Sequence, residues 1–272
     1  MAVTNNTHNI LTNQELSIQL SLSGLSFCIL NTDTNTITYL QHVDFTKKTP
    51  SDLLDAVKHE FNTNSNLQQD FSKLTVIHEN EWSTLVPKPL FNEDNLADYL
   101  KFNTKILKTD FITFDDINQN DSINVYVPFT NINNYLFDKF GSFTYKHFST
   151  VLIEQLLTLE KNSNTSKVYV NINTDSFEVI AFNTGKLTLY NTFNYQTKED
   201  FIYYLLFTFE QLQLNPETVE LVFLGNLNKE HPIYKIAYKY VRHVSFGNRF
   251  DTFAFAEKPT YSYSNFTLLK SF

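Results

Sequence analysis

One pattern of strands and helices occurs twice along this chain, about 150 residues apart. Alternating apolar residues predict the strands, and Thr followed by an acidic residue predicts the start of each main helix. The first copy is predicted to contain strands at 16–22, 25–30, 37–45 and 71–77, a helix from Thr49 and a helix at 94–102. The second copy is predicted to contain strands at 168–172, 177–181, 187–191 and 219–224, a helix from Thr197 and a helix at 231–243. The shared order favours an internal duplication over a chance similarity of short patterns.

The length of the chain supports the same interpretation. A chain of 272 residues is longer than the usual single domain, so the two copies predict two lobes of an α/β protein. The first lobe is assigned to residues 16–160 and the second to residues 167–272. Residues 1–15 are expected to form a flexible N-terminus.

The first copy is longer than the second because it carries an insertion. The extra segment spans about 100–149, a length of roughly 50 residues, and includes a predicted strand at 123–129. A helix at 150–160 follows, and then the polar segment Lys161–Ser166. This polar segment is the predicted linker between the lobes.

Charge and composition exclude several classes of function. The formal net charge is −8 and there are two arginines, whereas nucleic-acid binding requires clustered Lys and Arg. Residues 1–14 lack the basic start and apolar run of a signal sequence, and no segment approaches the roughly 18 uncharged apolar residues of a membrane helix. The sequence therefore predicts a cytoplasmic protein without a membrane span. The lone Cys28 lies in an apolar run and is predicted to be a small buried hydrophobe.

Several segments resemble those of a bacterial family catalogued as domain of unknown function 3822, which has an actin-like fold. The resemblance extends over nearly the whole chain from about Leu16 and is carried by the segments at 16–21, 191–195, 200–206 and 224–225. It implies a duplicated actin-like, or ribonuclease H-like, α/β fold of the actin, sugar kinase and chaperone ATPase superfold. Each lobe would then have a mixed sheet flanked by helices. The superfold also implies a nucleotide in the cleft between the lobes.

The phosphate-binding motifs of that superfold are incomplete in this chain. Its first loop has an Asp and then a Gly in the first hairpin, because the acid positions hydrated magnesium and the glycine admits the phosphates. Here Ser21 and Ser23 precede Gly24, without an acid. Asn171 stands where the second acid is expected, and Gly225 is one glycine where the adenosine motif has two. These five residues are the candidates for the lining of the cleft, and magnesium-dependent hydrolysis is predicted to be absent.

The remaining polar groups assign no catalytic or metal-binding residue. The seven histidines are scattered without metal-ligand spacing, so no metal site is predicted. The run His78–Trp82 places an imidazole near two acids, which could serve acid–base chemistry but is more typical of a solvated loop. The segment Tyr261–Ser264 is predicted to be either an edge strand for a partner or an ordinary closing strand.

Two functions follow from these observations. The favoured one is a non-catalytic binding or scaffold protein that keeps the actin-like frame, needs no cofactor and binds a protein or a small ligand through its cleft or outer edges. The alternative is a nucleotide-binding protein, or a weak phosphotransferase, with ATP and magnesium in the cleft at the five candidate residues. The acid missing from both phosphate loops favours the first. Self-association into filaments is left open.

Overall fold

Two large β-sheets form the frame of the protein. The computed structural model describes residues 12–46, 49–102 and 104–272. Six strands form the first sheet: β1 (Gln14–Leu20), β2 (Gly24–Asn31), β3 (Thr36–Asp44), β4 (Lys73–His78), β8 (Thr144–His147) and β14 (Ala254–Phe255). They lie in the order β14–β3–β2–β1–β4–β8. Strands β1, β2 and β3 form an antiparallel unit, whereas β4 is parallel to both β1 and β8.

The second sheet repeats this arrangement. Five strands form it: β9 (Ser166–Ile172), β10 (Ser176–Asn183), β11 (Lys186–Asn194), β12 (Glu220–Gly225) and β13 (His243–Phe246). Their order is β11–β10–β9–β12–β13, with an antiparallel β11–β10–β9 unit and a parallel β9–β12–β13 unit. The same units, β3–β2–β1 and β1–β4–β8, make up most of the first sheet. The repeat in the sequence therefore corresponds to a repeat of strand order and direction.

Helices flank both sheets, as the predicted fold class requires. In the described residues these are α1 (Pro50–Thr63), α2 (Leu96–Leu100), α3 (Thr130–Phe140), α4 (Phe148–Glu160), α5 (Lys198–Gln211), α6 (Pro232–Tyr240) and α7 (Phe266–Leu269). Helices α1 and α5 both begin with a capping box. The hydroxyl of Thr49 accepts the N–H of Asp52, and the Asp52 carboxylate accepts the N–H of Thr49. This exchange satisfies two backbone donors that the helix leaves free, so the helix starts predicted from Thr and Asp are confirmed.

Helix α4 lies between the two lobes and is buried on most of its surface. Nine of its residues are buried, among them Leu152, Ile153 and Leu156. These side chains belong to one apolar cluster with the second sheet, and Ile77 and Ile117 of the first lobe join the same cluster. A single core therefore crosses the boundary between the lobes at this helix.

The inserted segment forms a third, smaller sheet. Its strands are β5 (Ser83–Pro87), β6 (Thr113–Ile117) and β7 (Ser122–Tyr126), in the order β5–β7–β6 and all antiparallel. The insertion was placed at about 100–149, but the extra sheet already begins at Ser83, because β5 pairs with β7 instead of extending the first sheet. Leu100 of α2 is buried in the core of this sheet. The helix predicted at 94–102 thus belongs to the insertion and does not correspond to α6.

The C-terminal segment returns from the second sheet to the first. Strand β14 is parallel to β3, with Ala254 opposite Thr36. Helix α7 packs against β1 and β2, and the Thr267 hydroxyl donates to Oε1 of Gln19 at 2.6 Å. Residues 167–272 were assigned to the second lobe, yet this segment contributes a strand to the first sheet, because its apolar side chains are buried beside β2 and β3.

A buried arginine holds the start of this C-terminal segment. The Arg249 side chain is 1% exposed and makes a two-bond ion pair with Asp251, at 2.9 and 3.0 Å. Its Nη1 also donates to the carbonyl oxygens of Tyr261 and Ser264. The strand predicted at Tyr261–Ser264 is therefore wrong, because the guanidinium, and not a neighbouring strand, binds these carbonyl groups. The ring of Tyr263 is buried and stacks on Phe246.

Three further sequence predictions concern the N-terminus, Cys28 and membrane-spanning segments. Residues 1–11 of the segment expected to be flexible lie outside the described residues, and β1 begins at Gln14. Cys28 is fully buried in β2, as predicted, and this burial raises the pKa of its thiol. Within the described part of the chain, no helix is both long enough and apolar enough to span a membrane.

Candidate functional site

The turn between β1 and β2 faces the gap between the lobes. Its polar atoms bind one another: the N–H of Ser21 donates to the carbonyl of Gly24 at 2.9 Å, and the N–H of Ser23 donates to Oγ of Ser21 at 3.2 Å. The two hydroxyl groups lie 3.1 Å apart. A Cβ at Gly24 would lie 2.8 Å from Cε1 of His42, so the glycine allows His42 to pack against the turn. The turn therefore offers hydroxyl groups to the gap, while the N–H groups of Ser21 and Ser23 are already used.

The corresponding turn of the second lobe is organised around a buried carboxyl group. Asn171 donates to Oε2 of Glu178 at 2.8 Å, and Asn173 donates to Oε1 of the same side chain at 3.1 Å. The Tyr195 hydroxyl donates to the carbonyl of Asn173 at 2.9 Å. The predicted candidate Asn171 thus binds an internal carboxyl group with its amide. Glu178 is 3% exposed.

Gly225 ends β12 at a point where two strands approach closely. Its φ is +101°, and a Cβ at this position would lie 2.4 Å from the carbonyl oxygen of Ile172. Its N–H donates to the carbonyl of Tyr263 at 3.1 Å. Glycine is required here for backbone packing, and its N–H is engaged by the C-terminal segment.

All five predicted residues line one cavity between the lobes, which we call the cleft cavity. Its volume is about 600 Å³. Its walls are the two turns, the end of β12 and the C-terminal segment, and many lining side chains carry hydroxyl or amide groups: Gln19, Ser26, Gln41, Asn173, Thr174, Asn226, Thr260, Ser264, Asn265 and Thr267. Among its described lining residues there is no lysine or arginine, whereas Asp44 and Glu79 contribute carboxyl groups. The cleft cavity is therefore polar, and the only basic side chains among its described lining residues are those of His42 and His231.

A smaller cavity of about 90 Å³ shares residues with the cleft cavity at the first turn. We call it the acidic chamber, because its lining includes Glu79, Glu81, Asp175 and Glu178. Burial raises the pKa of Glu178 to about 8, and the nearby Glu79 carboxyl adds to this effect. Burial likewise raises the pKa of Glu79 to about 7, against the opposing hydrogen bond from Gln19. Each lobe thus contributes one carboxyl group, buried in Glu178 and partly buried in Glu79, that tends to hold its proton near neutral pH.

Two buried histidines lie beside Glu79. Nε2 of His78 is 3.0 Å from Oδ1 of Asn133, and its Nδ1 accepts the N–H of Phe129 at 3.2 Å. His147, at the end of β8, is bonded through Nδ1 to the hydroxyl of Ser149, and its Nε2 donates to a backbone carbonyl. Burial lowers the pKa of each imidazole to about 3. The interpretation of His78–Trp82 as a solvated loop is wrong for His78, which is fully buried. Its two nitrogens are both bonded, so it has none left for proton transfer.

Sequence reasoning missed part of this site. Glu178 is a single acid inside the apolar run Phe177–Phe182, and a charged residue in such a run is the signal that could have identified it. The C-terminal segment lines the cleft cavity with residues 259–260 and 264–267, and the sequence pattern at Tyr261–Ser264 did not predict this position. Among the described residues, no group of three or more His, Cys, Asp and Glu side chains is placed to hold a metal ion.

Comparisons with known proteins identify a family and a fold. The family model described as "Protein of unknown function (DUF3822)" matches residues 3–244. The structure is similar to that of a Bacteroides thetaiotaomicron VPI-5482 protein, described as having an actin-like ATPase fold and unknown function. The two chains are 23% identical, and the match covers 87% of this chain and 91% of that chain with a TM-score of 0.74.

A second structural match is more distant. It is with the PilM–PilN type IV pilus biogenesis complex, at 10% identity and a TM-score of 0.57, and it covers 89% of this chain and 90% of that chain. No curated protein matches the sequence. The actin-like ATPase fold that the sequence resemblance implied is therefore confirmed.

Proposed function

The chain belongs to the DUF3822 family of proteins of unknown function, and from its cleft we propose that it is a non-catalytic binding protein that holds an uncharged, hydrogen-bonding ligand between its lobes. The observation that carries this proposal is the charge of the cleft cavity. Its described lining has carboxyl groups and many neutral polar groups, but no lysine or arginine. A ligand without negative charge suits such a lining best.

A nucleotide triphosphate would meet unfavourable groups in this cleft. Phosphates are bound by cationic side chains, by metal ions held on carboxylates, or by free backbone N–H groups. The N–H groups of Ser21, Ser23 and Gly225 are engaged within the protein. The carboxyl group of Glu79 adds negative charge at the place where phosphates would approach, whenever it is ionised.

A neutral polar ligand finds suitable partners in the same space. A volume of about 600 Å³ lies within the usual range of small-molecule sites. Thr174, Asn226, Thr260 and Asn265 line the cleft cavity with hydroxyl and amide groups, which can donate and accept hydrogen bonds. Phe148 and Phe266 add apolar surface. Sugars, nucleosides and peptide groups share this combination of polar atoms and apolar faces.

The similarity to the PilM–PilN complex supports a binding role in general terms. That structure shows the fold within an assembly of two proteins. The alternative function for this chain is nucleotide binding with weak phosphotransfer, which is favoured by its actin-like ATPase fold and by the size of the cavity.

Thermal unfolding with millimolar ligands tests this proposal. We expect no change in the unfolding temperature with ATP or ADP, with or without magnesium. A ligand at about 100 times its Kd would stabilise the fold by about 2.7 kcal/mol, which is a rise of several degrees for a chain of this size. In a panel of nucleosides and sugars measured beside their phosphate esters, any compound that binds should bind more weakly when phosphorylated.

The variant Thr174→Trp fills part of the cleft cavity and locates the binding. Thr174 is exposed in the turn between β9 and β10, so the larger side chain should not disturb the fold. A rise in the unfolding temperature that an uncharged ligand causes in the unmodified protein should be lost in this variant. A magnesium-dependent shift with ATP that is lost in the same variant would contradict the proposal and support the nucleotide alternative.

A further inference from the structure

We propose that the described part of the loop after α2, residues 101–102 and 104–112, is a contact site for an anionic lipid surface. The proposal is independent of the cleft. Three large apolar side chains of this loop are exposed: Phe102 at 83%, Leu107 at 62% and Phe111 at 51%. Leu90, 71% exposed, precedes the same helix, and its carbonyl accepts the hydroxyl of Tyr99 in α2. The insertion therefore exposes four large apolar side chains, three of which belong to this one loop.

Residues 106–112 of the loop are held by contacts of their own, so the exposure of Leu107 is part of the fold. Ile106 and Ile112 pack against the core of the small sheet. The turn between them is closed by two hydrogen bonds: the N–H of Leu107 donates to the carboxylate of Asp110 at 2.7 Å, and the N–H of Asp110 donates to the carbonyl of Leu107 at 3.1 Å. Because Ile106 and Ile112 pack inward and the turn between them is closed, Leu107 is held on the solvent side.

Lysines accompany the apolar side chains. Lys101 pairs with Asp98 at 2.8 Å, and its Nζ lies 5.1 Å from the centre of the Phe102 ring. Lys105 and Lys108 are exposed and form no ion pair with any residue that the structure describes. Two unpaired cations thus lie within a few residues of the exposed Leu107.

The insertion as a whole is acidic, but within the loop itself three lysines stand against the single carboxylate of Asp110. Asp110 directs its carboxylate to the backbone of the loop, and Asp116 pairs with Lys88. Glu93 and Asp94 precede α2, at the end of the helix opposite to the loop. The two free lysines are therefore available to anions outside the protein.

The chemistry of the patch favours lipid over protein. Phe and Leu have no polar atom, and a side chain of this kind enters the boundary between headgroups and acyl chains while lysines bind anionic headgroups. Lysine is depleted in protein interfaces, where aromatic residues are enriched, so the lysines beside the apolar side chains are what favours lipid here. The exposed large apolar side chains of α5 and α6 are all aromatic: Tyr203, Phe207, Tyr238 and Tyr240. The net charge of −8 would also repel most of the protein from an anionic surface, which orients the loop towards the lipid.

Sedimentation with vesicles tests the proposal on the full chain. One set of vesicles is pure phosphatidylcholine, and in the other roughly a third of the lipid is phosphatidylserine. We expect the protein to sediment with the second set and to be released by salt. Each basic residue near such a surface contributes about a five-fold gain in affinity, so Lys105→Glu with Lys108→Glu should weaken binding by about 25-fold or more. Phe102→Ser with Leu107→Ser should also abolish sedimentation.

The matched control is Tyr238→Ser, because Tyr238 on α6 is as exposed as Leu107. It should bind vesicles like the unmodified protein, and the unfolding temperatures of all variants should stay close together because the changes are on the surface. The proposal is overturned if the unmodified protein stays in solution with phosphatidylserine vesicles, or if the control loses as much binding as the loop variants. A change of oligomeric state in the loop variants, without any lipid binding, would instead identify a second copy of the chain as the occupant and would also overturn it.

Discussion

The variant Gly225→Ala is expected to lower the free energy of unfolding by about 3 kcal/mol or more, because two costs act together. An L-residue is strained at a φ of +101°, and the new Cβ would lie 2.4 Å from the carbonyl oxygen of Ile172. That oxygen belongs to the backbone of a central strand, so it cannot move away cheaply. Thermal unfolding should show a fall of about 6 °C or more.

Gly141→Ala separates the two costs. Gly141 also has a positive φ, of +76°, but its Cβ would meet nothing within 4 Å. This control should lose about 1 kcal/mol, which is the cost of the backbone conformation without the clash. Equal losses in the two variants would show that the contact between β9 and β12 is not what requires glycine.

The combined contribution of His78, His147, Glu79 and Glu178 to stability is expected to be nearly constant between about pH 4.5 and 6.5 and to fall on both sides. Below pH 6.5 the unfolded chain protonates His78 and His147, while the folded protein keeps them neutral down to a pKa of about 3, so acid destabilises. Above pH 4.5 the unfolded chain ionises Glu79 and Glu178, while the folded protein holds their protons up to a pKa of about 7 and about 8, so base destabilises. Between these limits the two pairs oppose each other.

Below pH 4.5 the two histidines act alone, and above pH 6.5 the two glutamates act alone. In both ranges the change in the free energy of unfolding becomes measurable. Each such proton changes the free energy of unfolding by about 1.4 kcal/mol per pH unit. The two carboxyl groups should therefore cost about 3 kcal/mol between pH 6.5 and 8.5, and the two histidines about 4 kcal/mol between pH 4.5 and 3. Urea unfolding across the pH range measures both slopes.

The variant Glu79→Gln assigns the loss at high pH. It removes one titrating carboxyl group and also the like charge that raises the pKa of Glu178, so the high-pH slope should become shallower while the acid slope remains. Glu210→Gln is the control, because Glu210 is exposed at the end of α5. An unchanged slope above pH 6.5 in Glu79→Gln would show that the buried carboxyl pair does not cause it.

Local rules were sufficient to predict much of the frame. The alternation of apolar residues located the first three strands of each sheet, and the pairs Thr49–Asp52 and Thr197–Asp200 located the starts of α1 and α5. These features depend on residues that are close in sequence. The repeat then allowed the same unit to be recognised twice, and the resemblance to a known family implied the actin-like fold.

Features that depend on distant residues could not be predicted. Gly225 was identified as a cleft-lining residue at the position of the adenosine motif, but the contact that requires it is with Ile172, which lies in another strand. The strand predicted at Tyr261–Ser264 is absent because Arg249 binds its carbonyl groups. The effect of Glu79 on the pKa of Glu178 also depends on how the lobes meet, and no short sequence pattern predicts that.

The pairing of β14 with β3 has a consequence for how the chain folds as it is synthesised. Thr36 and Ile37 are made more than two hundred residues before their partners Ala254 and Phe255, and the whole second lobe is made in between. When the first lobe leaves the ribosome, its sheet therefore still lacks the edge strand β14. Its strands β1 and β2 also lack helix α7, which packs against them in the complete protein. During this interval an exposed sheet edge is open to pairing with other chains. Folding is complete only when residues 254–269 reach the first sheet. The first lobe therefore cannot complete its fold before the second lobe has been synthesised.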